Sequence, residues 1–90
     1  MYLHLGEDVV VSFADVIGVF DLDNTSVSAI TRDFLARAQK TPGRVVNVSY
    51  GLPKSFILCQ EKKGPLRLYI SQISSATLLR RANDFLENLR

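Results

Sequence analysis

The chain of 90 residues has the size of one domain, and its 47% hydrophobic content is that of an ordinary globular protein. Its single cysteine, Cys59, excludes an internal disulfide and any cysteine-based metal cluster. The net charge of +2 is unevenly spread: residues 1–31 hold five acids and no Lys or Arg, giving −5, whereas residues 32–81 hold ten bases and two acids, giving +8. The basic segment can bind an acidic partner. Alternatively, the acidic and basic segments neutralise each other, either within one fold or across the contact between neighbouring subunits.

The first quarter of the chain predicts three strands. Leu3 and Leu5 alternate with outward-facing residues in MYLHLG, which predicts a half-buried strand that forms a hairpin with EDVVVSF. A third strand is predicted over 16–22. Gly18 inside it indicates a bulge or a close approach of two backbones.

The segment DNTSVSAITRDFLARAQKTPG has the period of an amphipathic helix. We expect Asn24, Thr25 or Ser26 to cap its amino end and Pro42-Gly43 to stop it. The apolar stripe of this helix consists of Val27, Ile30, Phe34, Leu35 and Ala38.

Three further strands are predicted in the second half. RVVNVSY and KSFILCQ are expected to be joined by a tight turn at Gly51-Leu52-Pro53. The polar turn EKKGP then leads into LRLYISQI, which places Leu66, Leu68 and Ile70 on one face of a sixth strand.

A second helix is predicted in SSATLLRRANDFLENLR, with Ser74 or Ser75 as its cap. Its apolar stripe is wide, and we expect part of it to face a neighbouring subunit. The stripe consists of Leu78, Leu79, Ala82, Phe85, Leu86 and Leu89. The fold class predicted for 1–90 is a single small α+β domain, with a mostly antiparallel sheet of about six strands and helices after strands three and six.

Residues that carry chemistry are sparse. His4 is the only histidine, and no neighbour in sequence completes a nucleophile–base pair or a metal site with it. Asp21 and Asp23 can bind a cation together, but acids at this position also favour the start of the following helix. Cys59 follows three apolar residues and is expected to pack as a small hydrophobic side chain. We therefore expect a non-enzyme with no cofactor, no metal and no small-molecule substrate.

No membrane or export segment is predicted. No apolar run approaches the roughly 20 residues of a membrane span. The first residues lack the basic and apolar regions of a signal peptide, since Glu7 and Asp8 arrive early. We therefore expect a cytoplasmic protein with no membrane partner.

The candidate binding residues are cations in the polar turns, in the sixth strand and in the second helix. They are Lys54, Lys62, Lys63, Arg67, Arg80 and Arg81. Neutralising phosphates supplies most of the affinity of proteins for nucleic acid, so these side chains are candidates for contacting double-stranded DNA through its phosphates. Charge alone also fits a solvated surface.

The segments HLG, YGLPKSFIL and ISSATLLRR carry a resemblance to the extracellular matrix regulatory proteins of Gram-positive bacteria, in particular to the RemB branch. The similarity in order and spacing covers nearly the whole chain. It implies a regulator of transcription and biofilm matrix production. In the RemA branch, such proteins assemble into rings whose basic rim engages DNA.

The chain departs from the RemA branch at the DNA-contacting positions. That branch has adjacent arginines in the turn after the YG pair and another arginine where the third strand opens. Here Leu52 and Pro53 follow Tyr50-Gly51, and Asp15 precedes the third strand. Lys54 is the cation left beside the turn, and it offers a point charge in place of a bidentate guanidinium. Two hypotheses follow: a self-associating regulator that contacts DNA through the remaining cations, and an assembly module that binds protein and has lost DNA binding.

Overall fold

The computed structural model describes residues 1–22, 29–48 and 51–88, with the side chains of 29–31 and 85–88 left out of the description. No helix within these ranges is long and apolar enough to cross a membrane. A 3-10 turn at Phe13–Asp15 joins the second strand to the third. The elements are β1 (Tyr2–Gly6), β2 (Val9–Ser12), β3 (Val16–Asp21), α1 (Ala29–Gln39), β4 (Val45–Asn47), β5 (Ser55–Gln60), β6 (Leu66–Ser71) and α2 (Ser75–Asn88).

The strands form two sheets, so the prediction of one sheet of about six strands is wrong in this respect. β1 and β2 make an antiparallel hairpin of their own, and the other four strands make a sheet in the order β3-β5-β6-β4. Gly6, at φ 122°, and Glu7, at φ 48°, close the hairpin tightly. The hairpin buries Leu3 and Leu5 against a face of the larger sheet, and that burial favours stacking over joining the sheet edge.

The predicted tight turn between the fourth and fifth strands is also wrong, because β6 lies between β4 and β5. β4 is parallel to β6, and β5 is antiparallel to β6. The connection crosses the end of β6: the Val48 N–H donates to the Ile70 carbonyl at 2.9 Å, and the Lys54 N–H donates to the Ser71 carbonyl at 2.9 Å. β6 takes the inner position because it carries apolar side chains on both faces.

The four-stranded sheet is covered on both faces. On one face α1 packs through Ala38 onto Phe56 and Leu68. The other face holds Ile57 and Cys59, which form one core cluster with Leu3, Leu5, Val11, Val48 and Leu78. Residues therefore alternate between the two cores along β5, as strand geometry requires. Cys59 is buried in the second core, which confirms that it packs as a small hydrophobic side chain.

Gly18 marks a bulge, as predicted. Val16 pairs with Cys59 and Gly18 pairs with Leu58, so the intervening Ile17 has no partner on β5. A Cβ atom on Gly18 would lie 2.8 Å from the ring of Phe20, which itself stacks on Phe56 with 4.8 Å between ring centroids. A larger residue at this position would push the Phe20 ring away from its stack on Phe56.

The helix ends agree with the predictions where they are described. Ser74 caps α2, since its Oγ accepts a hydrogen bond from the Thr77 N–H at 3.2 Å. α1 ends at Gln39, just before Pro42 and Gly43. The predicted caps of α1 at 24–26 lie outside the described residues.

The two predicted helix stripes are only partly buried. Ala38 of α1 and Leu78 of α2 are buried, but Phe34 is exposed and Leu79 is 50% exposed. The other stripe positions with described side chains, Leu35 and Ala82, are half-buried. Val27, Ile30, Phe85, Leu86 and Leu89 are outside the described side chains.

Two fully buried serines tie the layers together. The Ser71 hydroxyl donates to the Leu5 carbonyl of the hairpin at 2.6 Å and accepts from the Ile73 N–H at 3.0 Å. The hydroxyl of Ser55, which pairs with Ser71 across the sheet, donates to the Ile73 carbonyl at 2.7 Å. Together they bind β1 and the segment before α2 to the end of the central strands.

The substitution Ser71→Ala leaves the Leu5 carbonyl and the Ile73 N–H without their partner in a buried place. We expect it to lower the free energy of unfolding by about 1–3 kcal/mol. Urea denaturation followed by circular dichroism measures this change. The exposed neighbour substitution Gln72→Ala is the control and should leave the midpoint unchanged. Equal midpoints for the two variants would contradict the assigned role of Ser71.

Candidate nucleic-acid interface

The turn between β5 and β6 presents Lys62 and Lys63, two predicted site residues, side by side and exposed. The Gly64 N–H donates to the Glu61 carbonyl at 2.9 Å, which closes a four-residue turn with the two lysines at its centre. The Gln60 side chain donates to the Gly64 carbonyl at 3.0 Å and braces the turn. The two ammonium groups are therefore carried on a hydrogen-bonded support.

Lys63 has an unusual backbone conformation, with φ at 58°. At this place in a turn, glycine or asparagine is the favoured residue, because a side chain with a Cβ is strained at positive φ. Glycine stands at the next position, Gly64, so the strain falls on the lysine. An uncommon conformation of this kind is a reason to look for a function of the side chain.

Arg67 is exposed on β6 and is placed opposite Cys59 in the register. It lines a groove of about 230 Å³ between the hairpin and the sheet. The carboxylates of Asp15 and Glu61 line the same groove. A phosphate that reaches Arg67 therefore meets two negative groups as well, so Arg67 is less suited to DNA contact than the turn lysines.

Cys59 also lines this groove and is buried. Burial raises the pKa of Cys59 from the ordinary 9.0 to about 11, and the negative charge of Asp15 adds to the rise. The thiol therefore stays protonated over the physiological pH range. A protonated, buried thiol is a packing group and not a nucleophile.

Arg80 and Arg81 lie exposed on α2. One guanidinium nitrogen of Arg81 donates to the His4 carbonyl on β1 at 3.0 Å. His4 is exposed, and its Nε2 lies 2.8 Å from the Glu7 carbonyl. The hydrogen bond from Arg81 to the His4 carbonyl fixes the Arg81 side chain over the hairpin. The other N–H groups of the guanidinium are left available to a phosphate.

Lys54 lies at the opposite end of the sheet from the turn lysines. Its N–H donates to Ser71 and its carbonyl accepts from the Leu22 N–H at 2.8 Å, which holds the backbone while the side chain is exposed. The six residues of β5 separate it from the turn by about 20 Å. The predicted site residues thus form three groups: Lys62 and Lys63 with Arg67 nearby, the α2 pair, and Lys54 alone.

Ion pairs do not neutralise the predicted cations within the described part of the chain. The ion pair found there joins Arg37 to Asp33 at 2.7 Å, on the exposed side of α1. The same residues contain no group of three His, Cys, Asp or Glu side chains that could hold a metal ion. His4 and Asp21 do not line the groove, and Asp23 lies outside the described residues.

Sequence reasoning missed the groove and the strain at Lys63. The groove residues come from both sheets, so no local pattern brings them together. EKKGP predicts a turn, but no residue in it indicates that Lys63, and not Gly64, takes the positive φ.

The comparison with known proteins agrees with the resemblance seen in the motifs. The chain is 38% identical over 87 residues to the extracellular matrix regulatory protein B of Bacillus subtilis strain 168. The alignment covers 97% of this chain and 96% of that protein. The chain therefore belongs to the extracellular matrix regulatory protein B family. No family model matches it.

The raised pKa of Cys59 predicts a loss of stability at high pH. Above pH 9 the thiol is ionised in the unfolded chain, whereas in the folded chain it stays protonated until about pH 11. Because the folded state then binds more protons than the unfolded state, the free energy of unfolding falls as the pH rises. Unfolding by urea between pH 8 and pH 11 measures the fall. Cys59→Ala is the control, and its stability should fall less over the same range. Parallel curves of unfolding free energy against pH for the two proteins would contradict the raised pKa of Cys59.

Proposed function

We propose that this protein is a cytoplasmic, non-enzymatic regulator of extracellular matrix production that self-associates and contacts double-stranded DNA through its phosphates. The name of its Bacillus subtilis relative supports the regulatory part. The DNA contact is supported by the exposed cations of the sheet end and of α2. It acts without a cofactor.

One observation carries the DNA contact: Lys63 is a lysine at positive φ in a turn whose next residue is glycine. The fold alone favours glycine at this position. A positive charge next to Lys62, at the tip of a braced turn, is what the lysine adds. Two adjacent ammonium groups suit the oxygens of a phosphate backbone, and as point charges they provide little base recognition.

Self-association compensates for the small number of cations in each copy. The three groups of predicted site residues are separated along one chain, and a single copy offers only two adjacent cations at the turn. Several copies held together repeat the turn, and the effective concentration of the second contact rises once the first is made. Binding therefore depends on the assembled form.

A second candidate function is favoured by the segment that replaces the arginines of the RemA branch. Leu52 is 77% exposed, and the neighbouring Pro53 is exposed as well. An exposed Leu-Pro pair has no attraction for phosphate but suits an apolar pocket on another protein. In this alternative the chain is a protein-binding assembly module without DNA contact.

The substitution Lys63→Gly distinguishes the effect of this residue on folding stability from its effect on DNA affinity. It removes one cation and also relieves the positive φ, so DNA affinity should fall while the urea midpoint is no lower than in the unaltered protein. The slope of log K against log salt should decrease by about 0.9 for each phosphate that the variant no longer neutralises. Fluorescence anisotropy of a labelled duplex at several salt concentrations measures both quantities.

Lys40→Gln is the control for this experiment. Lys40 is an exposed lysine beyond the end of α1 and outside the predicted set, so its replacement should leave the slope unchanged. No binding to duplex DNA by the unaltered protein in low salt would overturn the DNA contact and favour the protein-binding module. Equal slopes for Lys63→Gly and the unaltered protein would remove the turn from the interface.

A further inference from the structure

We infer that copies of this chain join head to tail through the two edges of the four-stranded sheet, with β4 of one copy adding in parallel beside β3 of the next. This inference rests on the self-association in the proposed function and names its interface. The residues of this interface are not among the predicted site residues.

Both edges lack a strand partner on their outer side within the described residues. There, β3 pairs with β5 alone and β4 pairs with β6 alone. An uncovered edge presents a row of N–H and C=O groups that can pair with another chain. β3 is also apolar, with Ile17 56% exposed and Phe20 exposed.

The backbone groups that point outward can be assigned from the bonds that point inward. On β4, the Arg44 carbonyl accepts from the Leu68 N–H at 2.8 Å and the Val48 N–H donates to the Ile70 carbonyl at 2.9 Å. Because alternate residues of a parallel edge strand face its partner, Val45 and Asn47 direct their backbone groups to the outer side.

The same alternation applies to β3. The Leu22 N–H donates to the Lys54 carbonyl at 2.8 Å, so Leu22 directs its backbone groups toward β5. Phe20, two residues before Leu22, pairs with Phe56 and faces β5 in the same way. Val19 therefore directs its N–H and C=O away from β5. Outward groups on β3 and on β4 thus recur at the same two-residue spacing.

Strand directions and charge select the pairing between unlike edges. β3 and β6 are both antiparallel to β5, and β4 is parallel to β6, so β3 and β4 run in the same direction. Asp15 directly precedes β3, and Arg44 directly precedes β4. In a parallel alignment of the two strands, the carboxylate of one copy lies beside the guanidinium of the next.

Pairing between like edges is less favourable. Two copies of β3 related by a two-fold axis run antiparallel, and the strand VIGVFD offers no cation to Asp15 of the other copy. Two copies of β4 can pair over only the three residues of each strand, and this pairing brings no opposite charges together. Head-to-tail contact is the arrangement that satisfies both edges of every copy.

Head-to-tail pairing repeats the lysine turn along one side of the assembly. The β5–β6 turn lies at the end of the sheet where β3 begins, since Val16 pairs with Cys59. Parallel pairing keeps that end of every copy on the same side. A contact of this type closes into a ring or continues as a filament, according to the rotation between copies.

Charge reversal tests the pairing. Asp15→Arg and Arg44→Asp are prepared separately, checked by circular dichroism for folding, and measured by light scattering with size-exclusion chromatography in low salt. The unaltered protein should have a mass several times 10.1 kDa, and each single variant should dissociate. A 1:1 mixture of the two variants should recover the large species, because opposite charges then face each other at every contact between unlike copies.

A backbone variant gives an independent check. Asn47 is exposed, and its N–H points outward, so Asn47→Pro removes an outward donor while the inward bonds of β4 remain. Asn47→Ala keeps the N–H and is the matched control. We expect assembly to weaken at least tenfold in Asn47→Pro and to be unchanged in Asn47→Ala.

The outcomes separate this inference from the proposed function. An unaltered mass for the single charge variants and for Asn47→Pro would overturn the edge pairing while self-association stands. An unaltered protein that is monomeric at every concentration tested would overturn both.

Discussion

The burial of β5 and β6 on both faces is the constraint on which the rest of the structure depends. Phe56 and Leu68 meet α1 on one side, and Ile57 and Cys59 meet the hairpin and Leu78 on the other. A chain of 90 residues has little apolar surface to spare, and these two strands supply four of the ten buried hydrophobic residues in the described part of the chain. The buried hydroxyls of Ser55 and Ser71 fix the hairpin and the start of α2 to the end of these strands.

The same constraint decides which parts of the chain are left for function. The faces of the sheet are used for folding, and its ends and edges remain. Lys62 and Lys63 extend from one end on a braced turn, and Leu52 and Lys54 lie exposed at the other. The outer edges of β3 and β4 carry charges of opposite sign where the strands begin. The ends thus suit contact with a partner, and the edges suit contact with another copy.

Local patterns in the sequence predicted the elements better than their arrangement. Alternation in the strands and the helical period are properties of neighbouring residues, and the six strands and two helices lie close to their expected places. Sheet order depends on contacts between distant residues. The insertion of β6 between β4 and β5 follows from the apolar character of both faces of β6, which competes with the simple turn that adjacent strands suggest.

The candidate site shows the same division. The exposure of the six predicted cations agrees with their positions in turns, on the outward side of β6 for Arg67, and on α2. The separation of Lys54 from the turn lysines follows from the predicted strand between them. The place of the α2 pair relative to both depends on how the helix packs, which local patterns do not give. The groove that brings Asp15 and Glu61 beside Arg67 arises from the stacking of the hairpin on the sheet, which no sequence spacing encodes.

Sedimentation velocity of a fluorescent DNA duplex, mixed with the protein at low and at raised salt, measures whether the assembled protein binds DNA through phosphates. In low salt the duplex should sediment with a species containing several copies of the chain, and raised salt should release the duplex. A duplex that sediments alone in low salt, beside a well-assembled protein, would contradict the proposal and would identify the chain as an assembly module for another protein.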